Sequence, residues 1–317
     1  MTTQEPAHET DAPVRIDLGA IIAYVVLACG LAWLVALPLW FGDGLRAPFA
    51  GLLLPVVMYT PAAAVLIVML VMRPVPRGQR LRFLGMWPLR PASRVIWMSV
   101  ISLFGTVAVV VLAMLIAIGF GWMKADFVGL SGFEETMRAA VPPGTELPPA
   151  IVLVAAQMAS LPVAAVTINA FAAFGEELGW RGFLVPALRP YGTWTTLLVS
   201  GAIWGVWHAP IILLGYNFGR TDLLGVLLMV VGCMAVGVLF GWTRLRSGSM
   251  WPAVFAHGAL NAAAGLPMVF RAAGAPLDPA LSIVLGVSGW IACAIVIVIL
   301  LLTGQFRKQP ALAAAEG

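Results

Sequence analysis

Residues 95–120 read VIWMSVISLFGTVAVVVLAMLIAIGF, an apolar run without a single charged side chain. A helix needs about 20 such residues to cross the hydrocarbon core of a bilayer, so this run predicts a membrane span. Its length excludes the short alternating strands of an outer-membrane barrel, and a helix satisfies its own backbone groups where no water is present. The stretch therefore predicts an all-α membrane protein.

Similar apolar runs recur along the whole chain. Hydrophobic residues make up 61% of it and charged residues only 10%. Water-soluble domains are roughly half apolar, so this composition excludes that class of protein. We predict about eight transmembrane helices, at residues 18–41, 49–72, 95–120, 149–174, 195–213, 223–242, 251–270 and 280–303.

These helices form one predicted transmembrane domain, residues 18–303. The longest connection, 121–148, is too short for a soluble domain but long enough for an interfacial helix or a lid. The connection 73–94 is strongly basic, which predicts a cytoplasmic location. With eight spans, the N-terminal tail 1–17 and the C-terminal tail 304–317 are then cytoplasmic too. We expect an integral protein of the bacterial plasma membrane.

The net charge of +4 comes from basic residues that lie mainly in the connections. Anionic lipid headgroups favour this arrangement, so membrane lipid is a predicted partner and nucleic acid is not. Cys29, Cys233 and Cys293 lie in three different apolar runs, without the spacing of a disulfide or a metal site. We predict that they are small core residues. No pattern in the sequence defines an oligomeric state.

A first group of charged residues lies near the end of the fourth predicted span. A charge at the centre of a span costs about 2.5–3.5 kcal/mol on insertion scales, so such residues are functional candidates. Glu177 and Arg181 are four residues apart with the acid first, the favourable order for a helical ion pair. This leaves Glu176 for chemistry. Taken alone, the group could also be a charge cluster that snorkels to the membrane surface.

Two further polar groups lie inside predicted spans. His208 is flanked by Trp204 and Trp207, while His257 and Asn261 are four residues apart and share one helical face. Taken singly, they could be a hydrogen-bonded core histidine and a polar pair that joins helices. The predicted orientation puts all three groups in the cytoplasmic half of the bilayer, which favours a shared site. Six nearby glycines would allow the helices to approach closely: Gly175, Gly179, Gly182, Gly201, Gly205 and Gly258.

Three motifs thus follow one another: Glu176-Glu177-x-x-x-Arg181, Trp204-x-x-x-His208 and His257-x-x-x-Asn261. In this order they resemble the CPBP or Abi family of intramembrane endopeptidases. That family includes the eukaryotic CAAX prenyl endopeptidase and bacterial proteins linked to bacteriocin self-immunity. The resemblance covers about residues 150–270. The sequence departs from the family pattern at Trp204, where the family usually has phenylalanine.

The resemblance implies an endopeptidase that cuts membrane-associated or CAAX-like peptides without a metal or another cofactor. Peptide hydrolysis needs a base that takes a proton from water, for which Glu176 is the candidate. It also needs donors for the oxyanion, which Asn261 and His257 can supply together. His208 could orient the water or pass a proton to the leaving amine. The implied catalytic residues are Glu176, His208, His257 and Asn261, and the implied supporting residues are Glu177, Arg181 and Trp204.

Other functions remain open at this point. One glutamate and two histidines are also a catalytic zinc set, so a metalloprotease that uses the same residues is the alternative, although the His-Glu-x-x-His signature is absent. Buried carboxylates and histidines also mark the ion pathways of transporters, but the chain has no inverted repeat. A non-catalytic immunity or scaffold protein that binds a peptide would have the same hydropathy.

Overall fold

Helices make up most of residues 15–307, the part of the chain that the computed structural model describes. Within these residues there is no strand, only an isolated antiparallel bridge between Ala125 and Arg271. The all-α prediction is therefore confirmed. Most of the predicted tails 1–17 and 304–317 lies outside the described residues.

The helices are numbered here in chain order. They are α1 (Leu18–Trp40), α2 (Ala50–Met58), α3 (Thr60–Val71), α4 (Arg80–Phe83), α5 (Ala92–Gly119), α6 (Ser131–Ala139), α7 (Ala150–Val166), α8 (Ile168–Glu177), α9 (Val185–Leu188), α10 (Thr193–Trp207), α11 (Ala209–Ile212), α12 (Leu223–Ser247), α13 (Trp251–Ala263), α14 (Leu266–Phe270), α15 (Pro279–Ser282) and α16 (Val287–Leu302). A π-helical segment, Leu178–Leu184, joins α8 to α9. Short 3₁₀ turns cover Gly44–Arg46, Arg77–Gln79, Arg189–Tyr191 and Gln305–Arg307.

Seven helical segments of the described chain are long and apolar enough to cross a membrane. Each of them overlaps one of the predicted spans, to within two residues over the predicted range, so the prediction of a polytopic integral membrane protein is confirmed. The segments are Leu18–Trp40, Ala50–Val71, Ala92–Gly119, Ala150–Tyr191, Leu223–Ser247, Trp251–Phe270 and Pro279–Leu302.

The predicted span 195–213 is the exception, so the described residues hold seven such segments instead of eight. Helix α10 has only 15 residues, or about 22 Å against a hydrocarbon core of about 30 Å. It ends before His208 because Pro210, in the first turn of α11, lacks the N–H that would continue the helix. The cytoplasmic placement of both chain ends, which assumed eight crossings, stays a prediction.

Two other spans are interrupted, and both interruptions lie against helices of the polar cluster. Helices α2 and α3 meet at Tyr59, while α7 and α8 meet at Thr167. Gly175 of α8 packs against the backbone at the first interruption, and Gly258 of α13 packs against the backbone at the second. The interruptions therefore bring backbone segments close to the helices that carry Glu176 and His257.

Small residues also join α10 to α12. A Cβ atom on Gly201 would lie 2.8 Å from the Cα atom of Met234, and one on Gly205 would overlap the backbone of Val230. Helices in lipid associate through such close packing, because burying apolar surface gives little gain there. Five of the six predicted glycines make approaches of this kind, while Gly182 makes only ordinary contacts.

The long connection 121–148 is folded onto the segment that follows α13. It contains the short helix α6, whose Glu135 accepts a hydrogen bond of 3.0 Å from Arg271. Ahead of α6, hydrogen bonds from Ser131 and Gly129 hold the pKa of the Asp126 carboxyl below its usual range. The connection is therefore held in place by the Arg271–Glu135 ion pair and by the turn that the Asp126 carboxylate caps.

Replacement of Gly205 by alanine should destabilise the protein, because the added methyl group overlaps the backbone of α12. Overpacking of this kind costs about 1–3 kcal/mol. The matched control is Gly105→Ala in the middle of α5, where no heavy atom beyond the local backbone of α5 lies within 4 Å of the added Cβ. Thermal unfolding in detergent, followed by circular dichroism, should show a lower Tm for Gly205→Ala only. Equal Tm values would contradict the packing described here.

Candidate active site

Glu176 and Glu177 lie where α8 passes into the π-helical segment. Both side chains are buried, with 2% and 0% of their surface exposed, so they are not surface charges at the end of a span. The helix continues past them, and residues 175–188 are all buried. Gly179 packs against Pro61 in α3, and Gly182 approaches the carbonyl oxygen of Leu84. The π-helical segment thus extends from the middle of the α2–α3 pair towards the basic connection.

Glu177 is the acceptor for both Arg181 and His257. Its Oε1 atom receives a 2.9 Å hydrogen bond from Arg181 Nη1 and lies 2.9 Å from His257 Nδ1. The Glu177–Arg181 ion pair was predicted from spacing and is confirmed. Because a carboxylate only accepts, Nδ1 of His257 is the donor. Nε2 of His257 is then left facing the other carboxylate.

Glu176 presents its two oxygen atoms to different neighbours. Oε2 accepts a hydrogen bond of 2.6 Å from the indole Nε1 of Trp204. Oε1 lies 4.0 Å from His257 Nε2, too far for a direct hydrogen bond. One oxygen is therefore fixed by a donor, while the other lies near an imidazole nitrogen without a direct hydrogen bond to it.

His208 is joined to this cluster through the backbone of Trp204. Its Nδ1 atom lies 2.8 Å from the Trp204 carbonyl oxygen, and Cys233 Sγ is 3.9 Å from the same nitrogen. A carbonyl only accepts, so Nδ1 carries the hydrogen and Nε2 keeps its lone pair. The ring of Trp207 meets the imidazole edge-on, with centroids 4.6 Å apart. The two predicted tryptophans therefore enclose His208.

Asn261 is a predicted catalytic residue that lies outside the buried cluster. It follows His257 by one turn of α13, so both lie on the same face, but its side chain is exposed. It makes no hydrogen bond to the buried cluster described above. The structure thus brings together Glu176, Glu177, Arg181, Trp204, His208 and His257, with Asn261 at an exposed position beside them.

Arg244 is a buried charge whose position the sequence did not predict. The predicted span 223–242 places Arg244 in the loop that follows it. In the structure α12 continues to Ser247, and only 1% of the Arg244 surface is exposed. Its Nε donates to the Arg181 carbonyl at 2.9 Å and its Nη2 donates to the Phe83 carbonyl at 2.9 Å. Arg244 therefore connects the π-helical segment to the basic connection.

The spacing of residues along α12 could have predicted that Arg244 faces the site. Cys233 contacts His208, Gly237 lies beside Arg181, and the guanidinium of Arg181 lies over the ring of Phe240. Together with Arg244, these residues recur every three or four positions. This spacing defines one face of a helix, which here is the face towards the site.

The zinc alternative requires a set of protein ligands that converge on one point. Among residues 15–307, no group of three or more His, Cys, Asp or Glu side chains is arranged to hold a metal ion. Glu176, His208 and His257 are thus not grouped in this way among the described residues. Nδ1 of His208 and Nδ1 of His257 are both directed at protein acceptors.

A comparison with protein families gives one match. The family described as type II CAAX prenyl endopeptidase Rce1-like matches residues 158–263. We call these residues the Rce1-like domain, after the family that they resemble. The predicted resemblance is thereby confirmed, and the family indicates a CAAX protease. The Rce1-like domain runs from the middle of α7 to the end of α13 and contains all the predicted site residues. No curated protein matches the chain.

Arg181→Ala should strongly destabilise the Rce1-like domain, because it leaves the carboxylate of Glu177 buried without its guanidinium partner, with only His257 beside it. Breaking a buried pair in this way costs about 3–5 kcal/mol. Arg138→Ala is a matched control, since Arg138 forms the same i, i+4 pair with Glu134 but is 63% exposed. An exposed pair contributes about 0.3–0.5 kcal/mol. Thermal unfolding should separate the two variants, and similar Tm shifts would refute a structural role for the Glu177–Arg181 pair.

Proposed function

We propose that the Rce1-like domain is an intramembrane endopeptidase in which Glu176 activates the attacking water. The supporting observation is the 4.0 Å separation between Glu176 Oε1 and His257 Nε2 inside a buried cluster. A single water can lie within hydrogen-bond distance of both atoms. Glu176 is then placed to accept a proton as the water attacks the scissile carbonyl.

Hydrolysis then needs a donor for the oxyanion and a proton for the leaving amine. Asn261, exposed on the face of α13 that carries His257, is our candidate for the oxyanion donor. Glu176 gains one proton when water attacks, and the same carboxyl can release it to the amine as the C–N bond breaks. This returns Glu176 to its starting charge, so the proton balance closes.

We assign His208 an orienting role. Its Nδ1 proton is held by the Trp204 carbonyl, so the neutral ring has no proton at Nε2 to give. Nε2 can instead accept a hydrogen bond from the water or from a backbone N–H of the substrate. The tautomer thus favours orientation of the water over proton donation to the leaving amine.

The proposed substrates are CAAX-like peptides or segments of membrane-associated proteins. The family name refers to prenyl endopeptidases, and we extend that substrate class to this chain. We also propose a bacterial plasma membrane location with the basic connection in the cytoplasm. Gly182 of the π-helical segment adjoins Leu84 of that connection, which supports cleavage in the cytoplasmic half of the bilayer.

Glu176→Gln should abolish most peptide cleavage while the protein remains folded. The amide cannot accept a proton from water, and general-base catalysis contributes about 10²–10⁴-fold. The assay uses detergent-purified protein with a fluorogenic peptide library that includes CAAX-like sequences. Glu146→Gln is the control, because Glu146 is an exposed carboxylate in the connection 121–148. Equal activity of wild type and Glu176→Gln would exclude Glu176 as the base.

Cleavage by the wild-type protein should survive a strong zinc chelator, since the proposed mechanism uses protein groups alone. Loss of cleavage on chelation, with recovery when zinc is added, would establish the metalloprotease alternative. If well-folded wild-type protein cleaves no peptide in the library, the result favours a non-catalytic scaffold.

A further inference from the structure

Trp204 contacts four other members of the candidate site. Its indole N–H donates to Glu176, and its carbonyl oxygen accepts from His208. The guanidinium of Arg181 lies over its ring at 4.5 Å, and the ring of His257 meets it edge-on, with centroids 5.3 Å apart. The side chain is 2% exposed. This set of contacts goes beyond the apolar packing that an aromatic residue at this position would supply.

We infer that Trp204 is a positioning residue that selects Oε1 of Glu176 as the proton-accepting oxygen. The two oxygens of a carboxylate are chemically equivalent, and the last torsion of a glutamate side chain has a broad, two-fold preference. Without a directional contact, the carboxylate can rotate. The 2.6 Å bond from Trp204 holds Oε2 and leaves Oε1 facing His257. Hydrogen bonds to ionised acceptors are among the stronger ones.

The ring of Trp204 is itself held in place by a charge. Arg181 is fixed by its ion pair with Glu177, and its guanidinium lies over the indole ring. This cation–π contact is buried, where such contacts are strongest. The positions of the two glutamates are thereby coupled through Arg181 and Trp204.

The N–H donor distinguishes this chain from the usual family pattern. Phenylalanine at this position could contact Arg181 and the histidines, but it has no hydrogen to donate to Glu176. Trp204→Phe is therefore a natural test, since it keeps an aromatic ring and removes only the donor and part of the ring. The catalytic consequence rests on the proposed function, whereas the hydrogen bond itself can be tested without activity.

The first measurement is a double-mutant cycle in thermal stability. Trp204→Phe should lower Tm in the wild-type background and lower it by clearly less in a Glu176→Met background, because the acceptor is already gone. Trp290→Phe is the matched control, since Trp290 donates its indole N–H to the Leu285 carbonyl on another part of the fold. Its Tm shift should be the same in both backgrounds. Equal Trp204→Phe shifts in the two backgrounds would overturn the inference.

The second measurement separates kcat from KM with a peptide that the wild type cleaves. Trp204→Phe should lower kcat by about 10- to 100-fold, the equivalent of one hydrogen bond to a charged group, with KM changed less than about twofold. Trp290→Phe should keep the wild-type kcat. An unchanged kcat in Trp204→Phe would overturn the positioning role even if the stability cycle shows coupling. Loss of substrate affinity alone would overturn it as well.

A third variant covers the case in which Trp204→Phe folds poorly. Benzothienylalanine at position 204 keeps the two-ring shape and has sulfur in place of the indole N–H. It should reach the same fold as the wild type, because the ring shape is kept, and show the same fall in kcat as Trp204→Phe; wild-type turnover would refute the inference. A wild-type protein that cleaves no peptide would instead overturn the proposed function, and with it the catalytic part of this inference.

Discussion

The buried ion pair between Glu177 and Arg181 is the interaction on which the rest of the site depends. Both side chains are almost completely removed from solvent, and each ion alone would carry a desolvation cost of several kcal/mol. Pairing at 2.9 Å makes the two charges tolerable. The same oxygen of Glu177 orients His257, and the same guanidinium covers Trp204. A contact that neutralises charge in an apolar setting thus also orders two neighbours of Glu176.

Backbone geometry brings these side chains together. The site lies at a π-helical segment, a feature that is common at functional positions, and Arg244 binds the carbonyl oxygen of Arg181 within it. Interruptions at Tyr59, Thr167 and His208 fall in three of the predicted spans. Two of them are contacted by glycines of α8 and α13. In a membrane, such irregular backbone is tolerated where it is enclosed by protein.

Much of this could be predicted from local patterns. Hydropathy predicted the fold class and seven of the spans, since the length of an apolar run depends on neighbouring residues alone. Four-residue spacing predicted the Glu177–Arg181 pair, because helical geometry fixes which side chains meet. The order of three motifs predicted the Rce1-like match. The interruption before His208 was missed, because one proline in an apolar run scarcely changes its hydropathy.

The sequence by itself determined that the chain spans a membrane, that its fold is helical and which residue types are available for chemistry. These properties follow from composition and short-range spacing. Only the tertiary structure decided that Trp204 donates to Glu176 across 28 positions of the chain, and that His257 reaches Glu177 across 80. It also decided that Arg244 is buried beside Arg181 and that Asn261 is exposed. These contacts depend on how separate helices pack, and that packing is set by glycine surfaces and helix interruptions far apart along the chain.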